Sequence, residues 1–230
     1  MIYRAATQWT SYFSGAEGVA YPSEYVIRIY RGNYPRLAMP KPVAGQRILD
    51  VGCGDGRNML FFQTLGLDVH GVEISNPVVE KLRDNLGPTG IPATNIQLGS
   101  CAQLPYDNSH FDYLVAWNSS YYMSLDGVSY HDHVAEFQRV LKPGGWIVLS
   151  VPKLSSFIFD GSDPSDLPGC RVIRRDPFGV RNGETLRAFR DRDELEHQYS
   201  GSFDTFCHAD VHDDCFGYAY HWHLMVARRK

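Results

Sequence analysis

Two carboxylates and three glycines carry the first chemical signal in this chain. Asp50 closes the short apolar run Arg47-Ile48-Leu49-Asp50-Val51, and Gly52, Gly54 and Gly56 alternate directly after it. Glycines at this spacing permit left-handed backbone and a close approach of main chain to a ligand. The dinucleotide fingerprint is G-x-G-x-x-G, with a pyrophosphate at the helix N-terminus. This chain instead has G-x-G-x-G, with an acid two residues before the first glycine. An acid there repels a pyrophosphate and suits a ligand carrying positive charge. The second carboxylate, Glu73, ends the alternating segment Leu67-Asp68-Val69-His70-Gly71-Val72-Glu73, nineteen residues after Gly54. That interval is close to the roughly 20 residues at which an acid accepts ribose hydroxyls. The pattern asks for a ligand with a ribose, a cationic centre and no phosphate at the turn.

Two later segments extend the signal. Leu104-Pro105-Tyr106-Asp107-Asn108-Ser109-His110-Phe111-Asp112-Tyr113-Leu114-Val115 and Arg139-Val140-Leu141-Lys142-Pro143-Gly144-Gly145 follow the glycine turn in order. Together the three resemble motifs of the class I S-adenosylmethionine-dependent methyltransferases, in their small-molecule, type 11-like branch. The later two match that family's L-P-F-x-x-x-x-F-D-x-V and R-V-L-K-P-G-G patterns, and the likeness covers residues 46–152. The resemblance implies an α/β fold: a Rossmann-like, doubly wound, mostly parallel seven-stranded sheet with an N-terminal helical and aromatic lid. It also implies S-adenosylmethionine as cofactor, which meets the requirement for a ribose and a cation without phosphate.

Carried over residue by residue, the resemblance places Gly52, Gly54, Gly56 and Asn58 along the cofactor, with Asp50 below or beside it and Glu73 on both ribose hydroxyls. Ser100-Cys101-Ala102 stands where the family often has an aspartate followed by alanine at the adenine; serine can accept a hydrogen bond but supplies no charge. Ile74 offers an apolar surface to the adenine. Trp117 and Asn118 follow the fourth strand, at the methionine end. Arg28 is a candidate partner for the cofactor carboxylate, through its planar fork. Tyr21, Tyr25, Tyr121 and Tyr122 are the candidate acceptor walls.

No residue is singled out as catalytic. A methyl sulfonium is already an activated donor, so the main task is to hold the nucleophile in line and exclude water. A base is needed only for an acceptor that arrives protonated. His131, His133, His221 and His223 are candidates because imidazole titrates near neutrality. His221 and His223 share a strand face and His208 and His212 lie nearby, but that spacing is a weak metal pattern, and no metal is expected.

These residues need elements to hold them. Strands are predicted near 46–51, 68–73, 94–98, 111–117 and 145–151, with helices near 57–65, 77–86 and 128–141. This alternation implies a parallel sheet with helices on both faces. Ligands then bind beyond the carboxyl ends of the strands. Pro22–Tyr30 reads as a short helix, and Asp191-Arg192-Asp193-Glu194 as a capped helix start. Two final strands are expected near 202–209 and 217–228. Residues 152–190 are rich in glycine and proline and read as a long loop, of the kind that is usually functional. The expected organisation is one domain over 1–230, with a lid segment over 1–45, a cofactor core over 46–152 and a substrate-side region over 153–230.

Composition narrows the function. The chain has 230 residues and a formal net charge of −4, so it lacks a global basic footprint for nucleic acid. A local basic patch around Arg171, Arg174 and Arg175 stays open. Asn118-Ser119-Ser120-Tyr121 departs from the [DN]-P-P-[FYW] motif of amino-methylating nucleic-acid enzymes, and there is no Pro-Cys nucleophile. Five cysteines without C-x-x-C spacing point to a reducing, cytoplasmic setting. No apolar run reaches the roughly 18 residues of a membrane helix. Nothing here indicates an oligomeric state. The reading is methyl transfer to oxygen or nitrogen of a small-molecule acceptor. The alternatives are a methyltransferase acting on protein or RNA, and a non-catalytic S-adenosylmethionine-binding subunit.

Overall fold

The structure is a computed structural model that describes residues 4–15, 21–123, 125 and 127–230. Its centre is a seven-stranded sheet. The first five strands are β1 (Arg47–Val51), β2 (Asp68–Glu73), β3 (Ile96–Leu98), β4 (Phe111–Trp117) and β5 (Leu141–Pro152). Three short strands follow, β6 (Asp163–Pro164), β7 (Cys170–Val172) and β8 (Thr185–Arg187), then the long hairpin β9 (Phe203–Cys215) and β10 (Tyr218–Arg229). The main sheet runs in the order β3-β2-β1-β4-β5-β10-β9. Strands β1 to β5 pair in parallel, and β10 is antiparallel to both β5 and β9. The Rossmann-like, mostly parallel expectation therefore holds.

The helices are α1 (Arg4–Ser14), α2 (Glu24–Arg31), α3 (Arg57–Thr64), α4 (Asn76–Leu86), α5 (Tyr130–Val140) and α6 (Arg192–Tyr199). The central strands are buried on both faces, which is why they read as nearly continuous apolar runs. Alternate side chains go to opposite layers. Ile48, Val69, Val115 and Val148 pack with Met59 and Phe62 of α3 and Val79 and Leu82 of α4. Leu49, Leu114, Ile147 and Leu149 pack with Val134 and Phe137 of α5 and Leu195 and Tyr199 of α6.

Local signals explain most boundaries. Ser75 caps α4 by accepting from the Val78 N–H, and Pro77 sits in its first turn. Asp191 caps α6, accepting from the Glu194 N–H at 2.8 Å. Strand β5 begins earlier than expected. Leu141 already pairs with Phe111, and Lys142–Gly145 loop out before pairing resumes at Trp146 and Tyr113. Lys142 Nζ anchors that excursion on Asp112 at 2.8 Å.

Two regions depart from the sequence reading. The first is α1, which was not expected. Its Lys81 Nζ–Phe13 carbonyl bond of 2.8 Å ties it to α4. The second is 152–190, expected as a loop. It contains the small antiparallel sheet β6-β7-β8. Its strands are only two or three residues long, too short for a period-2 pattern to show. This sheet is stitched to the segment after β4: the Met123 N–H donates to the Thr185 carbonyl at 2.9 Å, and the Arg187 N–H to the Tyr121 carbonyl at 2.8 Å. Arg174 of this region is paired with Asp163 at 2.7 Å, and Arg171 donates to Ser162, so two arginines of the suspected basic patch have local partners. No helix among the described residues is long and apolar enough to cross a membrane.

Candidate functional site

The glycine turn after β1 adopts the backbone its sequence asks for. Gly52, Gly54 and Gly56 have φ of 71°, 55° and 78°. Each is also sterically committed. A Cβ on Gly52 would lie 2.4 Å from Ser119, and one on Gly54 would lie 2.7 Å from the Phe13 ring. Gly56 begins α3 in left-handed conformation, where a Cβ would strike Leu82. The turn is bound to β2 through the Gly52 and Cys53 N–H groups, both donating to the Val72 carbonyl.

Glu73 stands at the tip of β2, 5% exposed. Its Oε2 accepts from the Gly54 N–H at 3.1 Å and its Oε1 from the Ile74 N–H at 2.7 Å. Burial pushes its carboxyl up from the ordinary range, and these backbone N–H groups oppose the push. Each carboxylate oxygen retains acceptor capacity beyond its backbone donor.

A cavity of about 300 Å³ opens beyond the strand ends. Gly52, Gly54, Asn58, Glu73, Ile74, Ser100, Cys101, Trp117 and Asn118 line it, together with Tyr121 and Tyr122. The sequence therefore places most of the cofactor set in one space. Ser100 Oγ is buried without a partner. Asn58 Oδ1 accepts from the Ser23 N–H at 3.1 Å, tying α2 to the turn. Asn118 adopts φ of 56°, held by Ser150, whose Oγ accepts from the Asn118 N–H at 2.9 Å and donates to its Oδ1 at 2.6 Å. Cys101 is no thiolate, because burial pushes its thiol up to about 12.

Other residues fall elsewhere. Asp50 is 1% exposed and lies beneath the turn, outside the cavity lining, with Oδ2 unpartnered. Burial pushes its carboxyl up to about 7; Asp55 and Glu73 add to this and Arg57 opposes it. Gly56 and Ala102 are not among the lining residues. Arg28 is turned to Glu24, with an Nη2–Oε1 distance of 2.6 Å, and does not line the cavity. Its partner is the acid one helical turn earlier, on the exposed face of α2. Tyr21 is 94% exposed, and Tyr25 donates to Asp213 at 3.3 Å; neither reaches the cavity.

The aromatic walls come instead from α1 and from 176–181. Trp9, Tyr12 and Phe13 of α1 line the cavity, with Phe178, Val180, Arg181 and Tyr220. The Trp9 and Tyr122 rings lie 6.1 Å apart, and Tyr121 and Tyr122 stack at 4.9 Å. The aromatic richness of the first 45 residues was a usable signal, but helix α1 was not read there. Arg181 carried no local signal.

One of the four histidine candidates lines the cavity. His133, 4% exposed on α5, has Nδ1 2.9 Å from the Ser120 carbonyl. A carbonyl only accepts, so Nδ1 carries the proton and Nε2 the lone pair. Burial lowers the pKa of His133 and the bond to Ser120 opposes this, which favours neutral imidazole. His131 is exposed, His221 meets Ser155 Oγ at 3.0 Å, and His223 pairs with Asp210 at 2.9 Å. Among the described residues, no group of three His, Cys, Asp or Glu side chains could hold a metal ion.

The residues fit S-adenosylmethionine in chemistry: a buried carboxylate with spare acceptor capacity beside the glycine turn, and an unpartnered serine hydroxyl at the expected adenine wall. The fold and this cavity define a Rossmann-like methyltransferase domain. Residues 48–145 match the family model described as a methyltransferase domain. The matched residues, under half of the chain, support a class I S-adenosylmethionine-dependent methyltransferase domain, a family whose cofactor is S-adenosylmethionine. It is 33% identical over 118 residues to a sterol 4-C-methyltransferase of Caenorhabditis elegans, covering 50% of this chain and 34% of that protein. It is 32% identical over 117 residues to a 27-O-demethylrifamycin SV methyltransferase of Amycolatopsis mediterranei, covering 50% and 42%. The chain thus spans well under half the length of these curated relatives. A solved SAM-dependent methyltransferase from Methanosarcina mazei shares the fold with a TM-score of 0.62 at 18% identity, covering 92% of this chain and 98% of that one.

Proposed function

We propose that this protein transfers a methyl group from S-adenosylmethionine to an oxygen or nitrogen of a small-molecule acceptor. The observation that carries the reading is the shared cavity: Glu73 and the glycine turn occupy one part, and His133 and an aromatic wall face the same space. When bound, S-adenosylmethionine supplies an activated methyl group for in-line displacement. Glu73 would hold the ribose through its free acceptor positions, and Gly52 and Gly54 would let main chain lie against the cofactor. Trp9, Tyr121 and Tyr122 would orient the acceptor and exclude water, which is the main catalytic demand. His133 Nε2 would take the proton of a hydroxyl or ammonium acceptor as the new bond forms.

A cavity of about 300 Å³ with an aromatic wall supports a small acceptor over a polymer. The sterol and rifamycin relatives act on small molecules by their names, and that is the class we infer here. Five cysteines without a disulfide support a reducing, cytoplasmic setting. We treat residues 1–45 as the lid segment, 46–152 as the cofactor core and 153–230 as the substrate-side region of one domain.

The test is incubation of the protein with isotope-labelled S-adenosylmethionine and cell extract, followed by fractionation by size. Label in the low-molecular-weight fraction supports the reading. Label in protein or RNA overturns it in favour of a macromolecular acceptor. Binding of S-adenosylhomocysteine without any transfer favours the non-catalytic subunit.

A further inference from the structure

Arg181 is a cation built into the acceptor side of the cavity. Its side chain is 14% exposed, and Nη1 lies 3.0 Å from Asp176 Oδ1. Asp176 is fixed in turn: its side chain is fully buried, and Oδ2 accepts from the Val180 N–H at 2.8 Å and the Arg181 N–H at 3.0 Å. Asn182 Oδ1 accepts from the Asp176 N–H at 2.8 Å. The loop therefore closes on its own carboxylate and presents the guanidinium in one geometry. Trp9 lies beneath it, with Cζ 5.8 Å from the ring centroid.

Arg181 Nε is buried without a hydrogen-bond partner, and the buried Tyr122 hydroxyl lies beside Arg181 and Tyr121. A buried donor without an acceptor is costly, and such a group invites a ligand. The surrounding wall of Trp9, Phe178, Val180 and Tyr220 is apolar or aromatic.

We propose that Arg181 selects the acceptor: a small planar molecule bearing a carboxylate or equivalent oxyanion, which accepts from Arg181 Nε and the Tyr122 hydroxyl while its ring lies among Trp9, Tyr121 and Tyr122. The proposal rests on the reading of this cavity as a small-molecule methyltransferase site. Arg181 is a specificity residue here and takes no part in proton transfer.

The test uses the full chain saturated with S-adenosylhomocysteine. Benzoate and 4-hydroxybenzoate are compared with their neutral carboxamides by ligand-observed NMR titration. A charge-assisted hydrogen bond outweighs a neutral one, so each carboxylate should bind about tenfold tighter than its amide. Arg181→Gln should bring that ratio close to one while leaving S-adenosylhomocysteine affinity unchanged. Because that substitution strands Asp176, the paired variant Asp176→Asn/Arg181→Gln provides a neutral control. A ratio near one in the unaltered protein, a preference that survives Arg181→Gln, or failure of both carboxylates to bind overturns the proposal. Loss of S-adenosylhomocysteine affinity in Arg181→Gln also overturns it and assigns the arginine to the cofactor. If the unaltered protein does not bind S-adenosylhomocysteine, the methyltransferase reading itself falls, and this proposal with it.

Discussion

The Gly54 N–H donates to Glu73 Oε2 at 3.1 Å, across nineteen residues of chain. This bond joins the glycine turn of β1 to the tip of β2, so the turn and the Glu73 carboxylate move as one unit. It also holds Glu73 ready before any ligand arrives.

Glu73→Ala should reduce S-adenosylhomocysteine affinity at least about tenfold, because two charge-assisted hydrogen bonds are lost at about 1.5–3 kcal/mol each. Calorimetry on the folded variant measures this. Unchanged affinity would remove Glu73 from the ribose site.

Gly54→Ala meets both a left-handed backbone and the Phe13 ring 2.7 Å from its Cβ. It should weaken cofactor binding and loosen α1. Adding Phe13→Ala removes the clash but not the backbone strain, so the double variant should recover part of the loss. A double variant no better than Gly54→Ala alone would show that α1 does not seat on the turn.

His133 must be neutral to accept a proton. Burial lowers its pKa below the ordinary 6.5, so a rate that depends on it should rise with pH and level off at or below about 6.5. His133→Gln should remove that limb from the pH–rate profile. The same shift affects stability. The unfolded chain binds this proton more readily than the folded one, so His133 costs nothing above about pH 6.5 and lowers stability as pH falls from there toward its folded pKa. Persistence of the acidic limb in His133→Gln would assign it to another group.

Asp50 has the opposite sign. Its carboxyl is raised from 3.8 to about 7. Stability associated with it is greatest below the unfolded value and is lost as pH rises through 7. Asp50→Asn should therefore raise the thermal midpoint at pH 8 and change little at pH 4. An equal midpoint shift at both values would show that the effect is not ionisation.

The tyrosines should separate by position. Tyr21→Ala, at 94% exposure, should change stability by no more than about 0.5 kcal/mol and leave turnover intact. Tyr121→Ala, at 1% exposure, should cost about 3–5 kcal/mol as a core truncation. Tyr122→Ala should lower turnover more than its melting temperature. Melts paired with product-inhibitor binding distinguish the three, and a turnover defect in Tyr21→Ala would restore it as a wall.

Local chemistry made much of this protein legible in its residues. The strand, glycine turn and helix around Asp50 and Gly52, the interval to Glu73, and the two later motifs all lie in short stretches whose patterns answer to backbone sterics and period-2 or helical burial. They led to a parallel sheet and to a ligand with ribose and positive charge. Tertiary structure decided the rest. Asp50 and Glu73 look alike as strand-end acids, yet one is sealed beneath the turn and the other faces the cavity. Arg28 looked available, but Glu24 one helical turn away holds it. The N-terminal aromatics that line the cavity are Trp9, Tyr12 and Phe13 rather than Tyr21 and Tyr25, because α1 lies across the turn and α4. Arg181 reaches the cavity only because the β6-β7-β8 sheet docks on the segment after β4. Contacts between residues tens of positions apart depend on packing, and neither periodicity nor spacing records them.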